Sequence, residues 1–133
     1  MEIKRVGVLG AGIMGAGIAQ VAAHVGLEVK LRDIEDKLID NGMNAIKQSL
    51  GRMVKKEKIM QADADAVVAR IKGVTDLTEA VKDVDIVIEA IPENMALKKE
   101  TFGTIDKVCP DSVIFASNTS GLSVTEMASV NKR

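Results

Sequence analysis

The chain has 133 residues, 47% of them hydrophobic, and a formal net charge of −1. That describes one domain able to bury a core, without the cationic excess that binding to nucleic acid or an anionic membrane calls for. Two Phe, no Trp and no Tyr exclude a base-stacking platform, and Cys109, the one cysteine, excludes an internal disulfide. Cys109 reads as a structural thiol in a loop before Pro110. The sequence has no signal-peptide core and no apolar stretch of membrane-spanning length, so a reducing cytoplasm is expected. The cluster Arg52, Lys55, Lys56, Lys58 is the local exception to the balanced charge.

Strand and helix patterns alternate along the chain. Val6 to Leu9 is a continuous apolar run, as in a strand buried on both faces. Ile13, Met14, Ile18, Val21, Ala22 and Val25 mark one face of a helix that Gly26 ends. Glu28 to Arg32 is a second strand. Ile39, Met43, Ile46, Leu50 and Met53, then Met60, Ala64, Val67 and Ile71, repeat at steps of four and three. They predict an antiparallel helical hairpin inserted after strand two, with a lysine-rich turn. A long and a short helix lying on the sheet is the plainer alternative.

Ile71 to Thr75 is expected as strand three, Thr78 to Lys82 as a short helix and Asp85 to Ala90 as a buried strand. A helix follows, with Met95, Phe102, Ile105 and Val108 on its inner face. Val113 to Ala116 is strand five, Ser117 to Gly121 its exit loop, and Ser123 a cap for a last short helix. The fold class is therefore α/β: a Rossmann-type, doubly wound, mainly parallel sheet carrying the hairpin. Ligands of such sheets lie beyond the carboxyl ends of the strands. Those ends are Gly10 to Gly15, Asp33, Ala90 to Asn94 and Ser117 to Ser120.

Gly10-Ala11-Gly12-Ile13-Met14-Gly15 stands between a strand and a helix, and Asp33 follows Gly15 by 18 residues. This is the dinucleotide-binding arrangement. Gly10 permits the tight turn, Gly12 lets a pyrophosphate approach the backbone, and Gly15 brings helix and strand together. The helix N-terminus offers its N–H groups to the phosphates. A glycine-rich turn without a ligand is the structural alternative. Asp33 suits the adenosine ribose hydroxyls and repels a 2′-phosphate, which favours NAD over NADP; the neighbouring Arg32 argues the other way. His24, the one histidine, lies far along the helix from the phosphates and does not serve as a base there. Glu93 suits the start of the helix after Pro92, as a cap or as part of the cleft. Lys98 is within reach of the same edge or is an ordinary exposed lysine. No metal site is expected, and no residue of the chain is assigned a catalytic role.

Three motifs in register, Val8 to Ala19, Glu89-Ala90-Ile91-Pro92-Glu93-Asn94 and Phe115-Ala116-Ser117-Asn118-Thr119-Ser120, resemble the 3-hydroxyacyl-CoA dehydrogenase family, including 3-hydroxybutyryl-CoA dehydrogenases. The resemblance spans the chain and includes the helical insertion. It implies NAD contacts at Gly10, Ala11, Gly12, Ile13, Met14, Gly15, Asp33, Glu93 and Lys98. It implies that Ser120 touches both cofactor and substrate, and that Ser49 and Lys56 touch coenzyme A. Seven residues apart, Ser49 and Lys56 share one helix face, and a lysine near the helix end suits phosphates or simply the helix dipole.

The family's catalytic histidine, in a His-Phe-Phe-Asn-Pro segment, would fall beyond Arg133. Its partner glutamate and the helical C-terminal domain are also missing from the sequence. Residues 1–133 are thus expected to be the NAD-binding domain of a longer homodimeric enzyme that oxidises (S)-3-hydroxyacyl-CoA to 3-oxoacyl-CoA in fatty-acid or butanoate metabolism, with no turnover of their own. A stand-alone NAD-binding module and a dehydrogenase of a non-CoA hydroxy acid are the alternatives.

Overall fold

Short apolar runs separated by helix-length segments satisfy their backbone groups by lying side by side in parallel, with the helices as crossovers. The computed structural model describes residues 3–91, 95–108 and 113–117. Its elements run β1 (Arg5–Leu9), α1 (Ile13–His24), β2 (Glu28–Arg32), α2 (Asp36–Lys55), α3 (Gln61–Ala69), β3 (Ile71–Val74), α4 (Leu77–Val81), β4 (Ile86–Glu89), α5 (Met95–Val108) and β5 (Ile114–Ser117). Every element expected within the described residues is present, its boundaries within a residue or two. The Ser117 to Gly121 loop from residue 118 on, and the Ser123 cap, lie outside the described residues.

The sheet order is β3-β2-β1-β4-β5, and every pairing is parallel. Leu9 pairs with Arg32 on one side and with Glu89 on the other, so the carboxyl ends of β2, β1 and β4 lie level. The strand order reverses direction between β1 and β4, which opens a crevice at that edge. Alternate β1 residues serve opposite faces. Val6 and Val8 join a core with the α1 alanines, Ile39, Ile46 and Leu50 of α2, and Ala64 and Val67 of α3. Leu9 joins a second core with Ala80, Val81, Val84, Val87 and Val113.

The burial of α1 differs from the expected face. Ile13, Met14, Val21 and Val25 are exposed, Ile13 at 95%. The buried residues are Gly15, Ala16, Ala19, Ala22 and Ala23, with Ile18 packed at the core's margin. The reason is distance. Gly15 holds the start of α1 so near the end of β1 that only small side chains fit between helix and sheet, and the large apolar ones turn outward. Gly26, at φ +104°, ends the helix as expected. Its N–H donates to the Ala23 carbonyl and that of Leu27 to the Ala22 carbonyl, both at 3.1 Å, the paired closure that a left-handed residue makes possible.

The hairpin forms as a pair of helices packed on each other and on α1. Its first seam is buried as expected at Ile39, Ile46 and Leu50, with Met43 and Met53 at the margin. Met60 is the exception: it is exposed and stands at the N-cap of α3, while Ile71 has already entered β3. Val108, expected to face inward, is exposed at the last position of α5.

Asp85 ties the two halves of the sheet together. Its Oδ2 accepts from the backbone N–H groups of Lys4 and Arg5, at 2.9 and 3.0 Å. Those two donors, and then the charges of Arg5 and Lys4, hold its carboxyl below the usual aspartate range. A group with a lowered folded pKa contributes stability above its unfolded pKa and loses it as pH falls through the folded value. Asp85→Asn is therefore expected to lower the melting temperature at pH 7. Thermal scans from pH 7 to pH 2 should show that difference closing below about pH 4; a pH-independent difference would exclude the titration.

Candidate functional site

The site starts from one residue's missing side chain. β1 ends at Leu9, and the chain turns at Gly10 with φ +109°, a conformation that L side chains rarely adopt. A Cβ on Gly10 would also meet the Ala90 carbonyl oxygen at 2.5 Å. The turn is pinned on both sides: the Gly10 N–H donates to the Arg32 carbonyl (2.7 Å) and the Ala90 N–H to the Leu9 carbonyl (2.8 Å). α1 then begins against this turn. A Cβ on Gly15 would overlap the Gly10 carbonyl oxygen, so helix and turn touch backbone to backbone.

Gly12, between them, is the N-cap of α1 and has no side-chain cap. Among the described residues, a Cβ added to it would meet no atom within 4 Å beyond its own helix and chain neighbours. The fold does not need glycine there, so the open space is available to something that is not protein. The first turn of α1 carries no acidic residue. The N-terminal N–H groups of a helix lack intrahelical partners, and an anion suits them.

Asp33, half-buried just past β2, faces the same loop. Its Oδ2 accepts from the Ala11 N–H at 2.9 Å and its Oδ1 from the Ile34 N–H at 2.8 Å. Each carboxylate oxygen has two acceptor positions, so one on each remains for vicinal hydroxyls. Arg32, the residue that could favour a 2′-phosphate, donates its Nε to the Thr75 carbonyl at 3.0 Å. These residues line a cleft of about 520 Å³ that includes Gly10 to Met14, Asp33, Ile34, Leu38, Ala90 and Ile91. A glycine turn at the phosphate end, a carboxylate beside it and an apolar wall beyond fit a dinucleotide.

Four cleft residues escape sequence reasoning: Ile34, Leu38, Asn41 and Thr101. Ile34 does leave a signal, being a large apolar residue directly after the acid and 65% exposed. Leu38 and Asn41 reach the cleft because α2 packs closely on the loop. Gly42 is the contact, where a Cβ would lie 2.6 Å from the Ala11 carbonyl oxygen. Thr101, on α5, is buried. Glu89 at the end of β4 is fully buried, and its carboxylate accepts from the Ile91 N–H at 2.5 Å, which shapes the cleft's far lip.

The other expected residues distribute as follows. Gly10, Ala11, Gly12, Ile13, Met14 and Asp33 line the cleft, with Gly15 packed beneath it. Ser49 is half-buried on α2 and Lys56 exposed at its C-cap, both away from the residues that line the cleft. Glu93 and Ser120 lie outside the described residues, as does the side chain of Lys98, which falls on α5. His24 closes the opposite end of α1 from Gly12. Among the described residues no group of His, Cys, Asp and Glu could hold a metal ion, and no helix is long and apolar enough to cross a membrane.

Comparison with known proteins gives the family. The sequence model of the 3-hydroxyacyl-CoA dehydrogenase NAD binding domain matches residues 5–133. A probable 3-hydroxybutyryl-CoA dehydrogenase of Bacillus subtilis is 44% identical over the whole chain, which covers 46% of that protein. The mitochondrial hydroxyacyl-coenzyme A dehydrogenase of Rattus norvegicus is 40% identical over 98% of the chain and 43% of its own length. The crystal structure of (S)-3-hydroxybutyryl-CoA dehydrogenase from Ralstonia eutropha superposes with a TM-score of 0.95 at 46% identity, over 99% of this chain and 46% of that one. The chain thus spans about half the length of the curated relatives it matches. It belongs to the 3-hydroxyacyl-CoA dehydrogenase family, as the family's NAD-binding domain, and NAD is its cofactor.

Proposed function

We propose that residues 1–133 are the cofactor half of a cytoplasmic, homodimeric dehydrogenase that oxidises (S)-3-hydroxyacyl-CoA to 3-oxoacyl-CoA in fatty-acid β-oxidation or butanoate metabolism. The observation that carries the cofactor part is the open space at Gly12, in a cleft beside the Gly10–Gly15 contact and Asp33. In this reading the backbone of Gly10 to Gly15 receives the pyrophosphate and Asp33 the adenosine ribose. The exposed Ile34 and Leu38 wall the base. Glu93 and Lys98 reach the nicotinamide ribose, and Ser120 meets both cofactor and substrate. Ser49 and Lys56 on the hairpin hold coenzyme A.

NAD, held by the backbone of Gly10 to Gly15 and by Asp33, would supply the acceptor for a hydride from the substrate's carbinol carbon. The hydroxyl proton needs a base, and His24, the sequence's one histidine, stands at the wrong end of α1. The family resemblance implies a histidine as that base, in the part of the relatives' length that this chain does not cover. The 133-residue chain is expected to bind NAD without turning over, and the longer enzyme to reduce acetoacetyl-CoA with NADH while leaving free acetoacetate almost untouched. Following NADH absorbance with each substrate decides it: equal turnover of the two would overturn the acyl-CoA reading, and turnover by the short chain alone would overturn the division of labour.

A further inference from the structure

Ser49 is not a solitary helix residue. Gln20 on α1 reaches across to α2, where its Nε2 donates to Ser49 Oγ at 3.0 Å and lies 3.9 Å from Met53 Sδ. The Met53 thioether has no proton to give, so the amide atom that faces both it and Ser49 is the nitrogen rather than the oxygen. A serine hydroxyl has one proton and two acceptor positions. With the amide donating to it, one of the two acceptor positions on the Ser49 oxygen is filled, and no described residue takes its proton. The half-buried hydroxyl is left with a donor to offer outward.

We infer that Gln20 is a positioning residue that fixes the direction of the Ser49 hydroxyl, so that Ser49 presents a proton to an acceptor oxygen of coenzyme A. This rests on the reading that Ser49 meets coenzyme A. The ligand atom that takes this proton is then a carbonyl or phosphate oxygen. The same helix that offers its N-terminus to the NAD cleft carries Gln20 two turns further on. One rigid element thereby sets the geometry of both ligands.

The test is a double-mutant cycle in the 133-residue chain, titrated with acetoacetyl-CoA by NMR, with NAD affinity and melting temperature as controls. Ser49→Ala is expected to weaken acetoacetyl-CoA about tenfold, the scale of one hydrogen bond to a charged or strongly polar group. Gln20→Ala is expected to weaken it roughly three- to tenfold when Ser49 is present and less than about twofold in the S49A background, because the two act as one unit. Gln20→Met, which keeps the volume and removes the donor, should match Gln20→Ala. NAD affinity should stay within about twofold throughout.

Equal losses from Gln20→Ala in both backgrounds, or full affinity in Gln20→Met, would overturn the positioning role while leaving Ser49 as a coenzyme A contact. No loss from Ser49→Ala would overturn that contact itself, and the positioning role with it. Chemical-shift changes confined to the NAD cleft would do the same.

Discussion

Gly15→Ala is expected to dismantle the cofactor site and a good part of the fold with it. The added methyl would overlap the Gly10 carbonyl oxygen, a backbone atom that cannot rotate away. Either α1 lifts from the sheet, opening the layer of Ala16, Ala19, Ala22 and Ala23, or the Gly10 turn breaks from its bonds to β2 and β4. The cost is on the order of 3 kcal/mol or more, in the range of severe overpacking. The melting temperature should fall steeply and NAD binding should be lost. Gly12→Ala supplies the contrast. Its methyl meets no atom of the described residues beyond its own helix and chain neighbours, and the backbone at φ −71° is open to alanine. A weaker N-cap and a less flexible unfolded chain roughly cancel, so the melting temperature should move by only about 2 °C. NAD affinity should nevertheless drop about 100-fold, since in the proposed function the methyl takes the space of the pyrophosphate; each tenfold is about 1.4 kcal/mol. Calorimetric titration with NAD beside a thermal scan reads both. A normally stable Gly15→Ala protein, or wild-type NAD affinity in Gly12→Ala, would contradict the assignment.

Asp33→Ala should have the next largest effect, because one carboxylate serves two ends. It holds the glycine loop through the Ala11 N–H and starts the α2 approach through the Ile34 N–H. It also keeps two acceptor positions, which in the proposed function serve the ribose. Hydrogen bonds to a charged group are worth about 1.5–3 kcal/mol each. NAD affinity is therefore expected to fall about 100-fold in Asp33→Ala and about tenfold in Asp33→Asn, which keeps one acceptor. The preference for NAD over NADP should narrow in both, since the negative charge that repels a 2′-phosphate is gone. Arg32 does not reverse the preference outright while its Nε is held by the Thr75 carbonyl. Competition titrations with the two dinucleotides check this, and an unchanged preference in Asp33→Ala would remove Asp33 from the ribose site.

Both predictions concern residues legible in the sequence, and for the same reason. A glycine at a fixed offset after an apolar run, and an acid at the end of the next run, answer demands set within a few residues: a turn at positive φ, a backbone-to-backbone contact, a charge beside a strand end. β1 and β4 were legible likewise, because each packs against a core on both faces and the stretches Val6 to Leu9 and Ile86 to Ile88 read as apolar runs. The hairpin showed itself through the four-and-three spacing from Ile39 to Leu50.

What the sequence could not determine was set by distances between elements. Large apolar residues on α1 suggested a buried face, yet Ile13 and Val21 point outward and alanines face the sheet. How near a helix lies to its sheet is decided by the Gly10–Gly15 contact, and only then does side-chain size decide which face fits. The outer wall of the cleft came from α2 and α5, brought in by Gly42 against Ala11 and by the buried Thr101. Gln20 and Ser49, 29 residues apart, carry no joint signal along the chain. Local backbone demands are written in consecutive residues, so the sequence by itself determined the order of elements and the Gly10 turn. Pairings across the core depend on how whole helices settle, so only the tertiary structure decided the helix faces, the cleft wall and the amide that orients Ser49.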